Sequence, residues 1–409
     1  MKKFISLALV LILAVTLIGC SKKGNDKGGN SAVQGGENSQ TASGDNSYAQ
    51  TIYADKERVL VEGKGEAWTL ANTYKKLTQD KKLNVAYLGG SVTGGTGGSN
   101  GTVSWRGQTT KWLQNTFSDA EVKEIYAAIG GSGSLWGLMR LETDVLQHNP
   151  DLVFVEFVMN DVYTGMTKTQ AAANIDAIIR KINEHNPETD IILVFITDEA
   201  YIDKDFDTKK GHRHVAEYYG IPCIDVGDAM LEELNKTGNA WSYYFNDNVH
   251  PNDIGYKVYG DAVEKSVNKW LNEAKTQTAK THAISKTPAV TNPYTTLQRL
   301  DISKVIKDKW RYSATDKFGK GTTEYISPKE GAIIEVEFEG ATLGAFCRIK
   351  QGCRLKFTVD GEVIDYIEQG TDDSFADTIL LDNLAPGKHK VQIEYLGPGM
   401  FIIGALMVC

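Results

Sequence analysis

The sequence predicts an α/β domain, a three-layer doubly wound parallel sheet of the flavodoxin-like type, followed by an antiparallel β-sandwich or jelly-roll domain. Three observations predict it. Between residues 84 and 274, near-continuous apolar β-rich runs alternate with segments of helical spacing, as strands buried on both faces and their crossover helices do. From 275 to 293 the chain turns to Lys, Thr, Ala and Pro with no periodic apolar face, which marks a boundary. Beyond it come short alternating runs punctuated by Asp360-Gly361 and Pro386-Gly387, turn dipeptides at sandwich spacing. At 409 residues, 41% hydrophobic and 23% charged, the chain has the length for two or three domains and the composition to bury their cores.

The first 50 residues stand apart. Lys2 and Lys3 precede an apolar run from Phe4 to Ile18, too short to span a membrane comfortably and right for a signal peptide over residues 1–20. The run ends Leu17-Ile18-Gly19-Cys20, which resembles the bacterial lipobox, whose cysteine takes a diacylglyceryl group and becomes the new amino terminus. A core cysteine after an apolar helix is the alternative, but a soluble core helix rarely opens a chain with this charge pattern. Residues 21–50 hold Gly, Ser, Asn and Gln with no Leu, Ile, Phe or Trp, the composition of a flexible tether. The expected location is the outer face of the cell membrane, lipid-anchored, with the Lys-rich tether pointing to a Gram-positive exterior. A net charge of −8 without a long basic run excludes a nucleic-acid partner.

The first folded domain, residues 51–275, is expected to hold strands at 84–88, 124–128, 151–158, 190–196 and 221–226, with helices at 105–117, 135–147, 169–184, 209–219 and 252–274. Residues 276–293 read as a linker. The second domain, 294–409, shows alternating runs at 332–338, 354–359, 379–381 and 390–395. Apart from Cys20, the cysteines are Cys223, Cys347, Cys353 and Cys409, without zinc-site spacing. Cys347 and Cys353 flank a short turn, where a disulfide and a pair of small core thiols are equally compatible with the spacing.

Ligands of doubly wound sheets sit beyond the carboxyl ends of the strands, so those positions carry the argument. The first strand ends Tyr87-Leu88-Gly89-Gly90-Ser91-Val92-Thr93-Gly94-Gly95, a serine on a glycine-rich turn. The turn lacks the lysine of a phosphate loop and the spacing of a dinucleotide site, and Thr93 replaces the second glycine of a Gly-x-Ser-x-Gly elbow. A serine hydroxyl needs a base. Of 7 histidines, His148 and His185 precede Asn-Pro at predicted helix ends, His212 and His214 lie on a charged helix, and His282 and His389 fall in the linker and a turn. His250, in Asn246-Asp247-Asn248-Val249-His250-Pro251-Asn252, is left. Asp247, three residues earlier, can reach its Nδ1 through one tight turn, although an Asp N-cap beside a surface histidine reads the same alone. Asn160, in Glu156-Phe157-Val158-Met159-Asn160-Asp161, can aim its amide at an oxyanion or simply form a turn. The glycines of Ile129-Gly130-Gly131-Ser132-Gly133-Ser134 can supply a second donor or a plain strand-to-helix turn.

Taken jointly, these four blocks fall in the order and at the strand ends of the four blocks of the SGNH/GDSL hydrolases, which the sequence resembles over about residues 54–274. The resemblance implies a Ser91, His250, Asp247 triad and an oxyanion hole of Gly131, Asn160 and the Ser91 N–H. Gly131 rather than Gly130 is implied because the block parallels the family's Ile-Ser-Gly-Asp-Thr-Ser type. One departure is that Gly90 stands in place of the aspartate of Gly-Asp-Ser, a trait of Gly-Gly-Ser-Val/Ile-Thr members. The implied chemistry is acyl transfer through an acyl-serine, with neither metal nor organic cofactor.

Extracellular esterases of this type with a separate β-sandwich resemble carbohydrate esterases that remove O-acetyl groups, so an acetylated polysaccharide or oligosaccharide is the expected substrate. Residues 331–368, with Gly340-Ala341-Thr342-Leu343-Gly344 and Val359-Asp360-Gly361, are similar to the jelly-roll of family 2 carbohydrate esterases, where that domain precedes the hydrolase rather than following it. Its role here, binding sugar, walling the site or stabilising the other domain, stays open. Trp136, Tyr163 and Tyr243 are candidate sugar contacts, with Trp241 and Tyr244 beside them; core packing is the alternative for all five. The rival functions are an esterase or acetyltransferase on the cell's own envelope polymers and a non-enzymatic sugar-binding lipoprotein.

Overall fold

The computed structural model describes residues 58–314, 325–349, 353–368, 374–399 and 401–409. The expected signal segment, the tether and Cys20 lie outside the described residues. Five strands form the parallel sheet: β1 Lys82–Gly89, β2 Glu121–Ala128, β3 Leu152–Glu156, β4 Asp190–Phe195 and β5 Cys223–Asp225, in the order β2-β1-β3-β4-β5. β3 and β4 are buried at every position, which is why their sequences are apolar without alternation. β2 lies at the edge and alternates, exposing Glu121, Lys123 and Tyr126. The order of strand addition switches sides at β1, with β2 on one flank and β3 on the other, and this switch opens a crevice beyond the carboxyl ends of β1, β2 and β3.

The helices are α1 Ala71–Lys75, α2 Ser91–Gly94, α3 Trp105–Thr116, α4 Ser134–Met139, α5 Leu141–Asp144, α6 Val158–Tyr163, α7 Lys168–His185, α8 Asp207–Tyr219, α9 Val226–Thr237 and α10 Asp253–Ala274. Caps set the long ones: Thr167 and Gln170 close a capping box on α7, and the Asn252 side chain accepts from the N–H groups of Ile254 and Gly255 to start α10.

Three elements differ from the sequence pattern. The helix expected over 135–147 breaks at Arg140, whose buried guanidinium donates to the carbonyls of Ala127 and Gly89 and to Asp144. The strand expected to reach residue 158 ends at Glu156, because Val158 begins α6. Helix α9 was not anticipated at all. Asp225 caps it by accepting from Asp228 N, and it buries only Val226, Gly227 and Met230, too narrow a stripe to declare itself. Residues 276–293 are packed and not loose: His282, Ala289 and Val290 are buried, and Val290 bridges to Leu60.

The second domain holds β6 Gln298–Leu300, β7 Trp310–Ser313, β8 Tyr325–Pro328, β9 Ala332–Ile349, β10 Arg354–Val359, β11 Glu362–Glu368, β12 Ser374–Tyr395 and β13 Phe401–Val408, with a short α11 Ile302–Val305. The sheet runs β11-β10-β12-β9-β13-β8-β7, antiparallel, with β6 on β13. The alternating runs at 332–338 and 390–395 are thus parts of two long strands. Cys347 and Cys353 are buried thiols in its core.

Candidate active site

Three strand ends and one helix start converge in the crevice. Ser91 opens α2 immediately after β1, and His250 lies just before the cap of α10. The Ser91 Oγ lies 2.8 Å from His250 Nε2, and His250 Nδ1 lies 2.7 Å from Asp247 Oδ2. The other Asp247 oxygen accepts the N–H groups of Val249 and His250 at 2.9 and 2.8 Å, so the three-residue spacing forms one closed turn. With Nδ1–H donated to the carboxylate, Nε2 carries the lone pair that faces the serine hydroxyl. Burial pushes the Asp247 carboxyl up, but hydrogen bonds from the His250 ring and the two N–H groups outweigh it and hold the group below the usual carboxylate range. Trp241, stacked on Phe245 at 3.6 Å, donates its Nε1–H to the Asp247 carbonyl at 2.9 Å and fixes the turn from behind. The 95–102 loop closes over it: Asn246 donates to the Gly97 carbonyl at 2.6 Å, and the Ser99 N–H donates to Asp253 at 2.7 Å.

The opposite wall carries the expected donors. Asn160, in α6, lies over Gly90: a Cβ on Gly90 would sit 2.1 Å from Asn160 Oδ1. A side chain at position 90 would therefore have to displace Asn160 in this chain. Gly130 is the glycine beside Ser91, its added Cβ falling 3.5 Å from Ser91 Cβ, and Gly131 follows at φ +66°, the left-handed region that favours glycine.

Two groups beneath this wall were not singled out in the sequence. Asp161 is fully buried; it accepts the Ser134 N–H at 2.7 Å and pairs with His212 Nε2 at 2.8 Å, tying the start of α4 to α8. His212, on a helix whose sequence is charged, is 2% exposed. Glu156, the last residue of β3, is also fully buried; its Oε2 accepts Thr93 Oγ1–H at 2.7 Å and, more weakly, the Gly90 N–H at 3.4 Å. A carboxylate ending an otherwise apolar strand was the available signal.

The aromatic candidates separate. Trp136 is 1% exposed and stacked at 3.8 Å on Phe346 of β9, so it is a core residue and not a sugar contact. Tyr244 is buried as well. Tyr163 is 44% exposed, with its hydroxyl donating to Asp198 at 2.7 Å, and Tyr243 is 50% exposed; both faces are open to a ligand.

Residues 87–258 match the family model described as the GDSL-like lipase/acylhydrolase family. No curated protein sequence matches the chain. Among solved structures, a two-domain esterase active on acetylated mannans, co-crystallised with mannopentaose, is similar at 21% identity and a TM-score of 0.68, over 85% of this chain and 96% of that one. A second structure of a two-domain esterase active on acetylated mannans matches at 21% identity and a TM-score of 0.67, over 84% and 96%. The aligned share exceeds what the α/β domain alone can supply, so the likeness extends into the antiparallel domain, and at this identity it establishes the fold: a GDSL/SGNH esterase fold followed by an antiparallel sheet domain.

Proposed function

We propose that this chain, whose residues 87–258 belong to the GDSL-like lipase/acylhydrolase family, is a serine esterase that removes O-acetyl groups from a polysaccharide outside the cytoplasm. The observation that carries it is the unbroken hydrogen-bond line from Ser91 Oγ through the His250 ring to Asp247. Along that line His250 Nε2 takes the serine proton as Oγ attacks the ester carbonyl, while Asp247 stabilises the imidazolium. The oxyanion is met by the Ser91 N–H, which as the first residue of α2 has no intrahelical acceptor, with Asn160 and Gly131 as the other donors. His250 returns the proton to the departing sugar hydroxyl. Water, activated by the same Nε2, then releases acetate.

The sugar preference rests on two supports: the exposed ring of Tyr163, which lies near Asp247, and the likeness in fold to an esterase active on acetylated mannans. The signal-like residues 1–20 and Cys20 support export and lipid anchoring. The test uses residues 51–409 on acetylated mannan, acetylated xylan and a chromogenic acetate ester. Acetate release from a polymer should fall by at least about 10⁴-fold in Ser91→Ala and in His250→Ala. Serine-independent release, or none from any substrate, rejects the reading. Incorporation of labelled palmitate that is lost in Cys20→Ala tests the anchor.

A further inference from the structure

We infer that Glu156 is a positioning residue of the nucleophile, holding the Ser91 turn from beneath as a neutral acid. The inference rests on the serine-esterase reading. The argument starts from the first turn of α2, whose leading N–H groups have no partners within the helix. Its cap, Gly90, has no side chain to satisfy them, and the Glu156 carboxyl fills that role from the neighbouring strand, taking the Gly90 N–H and the Thr93 hydroxyl on one oxygen. The residues on either side of the nucleophile are thereby fixed, while the Ser91 N–H stays available to an oxyanion.

The second oxygen, Oε1, is buried without a hydrogen-bond partner, which costs more for a charged carboxylate than for a neutral acid. No cation compensates it: among the described residues no Lys, Arg or His is hydrogen-bonded to Glu156. The charged or titratable groups around it are Asp161 on α6 and Tyr256 and Tyr259 on α10. Arg106 donates to the Thr93 carbonyl and Arg140 to the Gly89 carbonyl. Desolvation pushes the Glu156 carboxyl up to about 7, against hydrogen bonds from Thr93 and Gly90 that lower it, with Asp161 adding repulsion. Ionisation would place a negative charge one residue from Ser91, where the reaction itself develops a negative oxyanion. Turnover should therefore decline as Glu156 ionises.

The experiment compares kcat and KM for a chromogenic acetate ester from pH 5 to 9 in wild type, Glu156→Gln and Thr93→Val, with labelling by a fluorophosphonate as an independent readout of Ser91. Glutamine keeps the shape and the neutral state. It should keep kcat near wild type at pH 6 and abolish the roughly tenfold decline in kcat expected between pH 6 and pH 8 from a group titrating near 7, with KM unchanged. Thr93→Val removes a hydrogen bond that favours the ionised form, so its decline should move to higher pH. A wild-type profile that the glutamine variant superimposes on, or a Thr93→Val profile that does not move, overturns the role of Glu156. If glutamine blocks folding, the Thr93→Val shift alone decides. Absence of Ser91-dependent labelling overturns the esterase reading itself, a result distinguishable from either.

Discussion

Gly90 shows how one atom can settle a motif. Its backbone, at φ −94° and ψ −153°, suits any residue, so the glycine answers to space and not to strain. The colliding atom, Asn160 Oδ1, is the tip of a short side chain that can rotate away. Gly90→Asp, which restores the common Gly-Asp-Ser, should therefore leave the melting temperature within a few degrees of wild type while displacing Asn160. Loss of one oxyanion donor predicts a decrease in kcat of about 10²- to 10³-fold; wild-type kcat in this variant would remove Asn160 from the oxyanion role. Glu156 makes a separate prediction about stability. Its folded carboxyl titrates near 7, above the ordinary 4.5, so the fold prefers the protonated acid. That preference is fully present below pH 4.5 and is lost as pH rises to about 7, a change of about 3 kcal/mol. Glu156→Gln has nothing to lose, so its melting temperature relative to wild type should climb by several degrees between pH 5 and pH 8. A constant difference across that range would mean Glu156 is already ionised in the native state.

At the scale of elements, the site is a set of strand ends held in register by buried polar clamps. Arg140 ties the end of β1 to that of β2 through the Gly89 and Ala127 carbonyls, and Asp161 ties α6 to the amino terminus of α4 and to α8. Asp161→Ala would strand His212 and the Ser134 N–H in a dry environment, and breaking a buried pair of this kind costs about 3–5 kcal/mol. Thermal denaturation should show it as a substantial fall in melting temperature, and one of less than about 1 kcal/mol equivalent would sink the clamp. These clamps mark the border of what sequence discloses. Asp247 and His250 are three residues apart and close through one local turn, so they can be found by eye, as can the apolar strands that deliver Ser91 and Asn160. Glu156, Asp161 and His212 acquire their meaning from partners 27–66 residues away, and only packing reveals that they are buried. Helix α9 escaped for the related reason that its buried stripe is narrow. Trp136 stayed open between sugar contact and core because a tryptophan near a strand end looks the same whether it meets sugar or another ring, and its ring partner lies in the other domain.

At the scale of the whole molecule, the antiparallel sheet keeps a core of its own and also shares in its neighbour's. Phe346, Ala405 and Met407 of the antiparallel domain belong to the same buried cluster as the residues of β1 to β4, and Phe346 lies flat on Trp136 with an interplanar angle of 10°. A second junction is polar: Asp382 receives Arg58 at 2.7 Å, Tyr294 at 2.8 Å and Thr342 at 2.9 Å, all buried, which draws the start of the α/β segment onto the second sheet. A domain that merely tethered a sugar would not need to complete its neighbour's core. The stacked Trp136 sits in α4, whose amino terminus follows the Gly131 turn, so the antiparallel domain supports the wall that carries Gly131 mechanically. Two consequences follow from the shared core. Calorimetry of residues 51–409 should show one cooperative transition, and Phe346→Ala, which opens a cavity against Trp136, should lower that single transition by an amount equivalent to about 3–5 kcal/mol. The same variant should lose kcat more than it raises KM for a small acetate ester, because the damage reaches the catalytic wall and not a distant sugar site. Two independent transitions, with Phe346→Ala shifting only the one that belongs to the antiparallel domain and leaving kcat untouched, would return that domain to the status of an appended module.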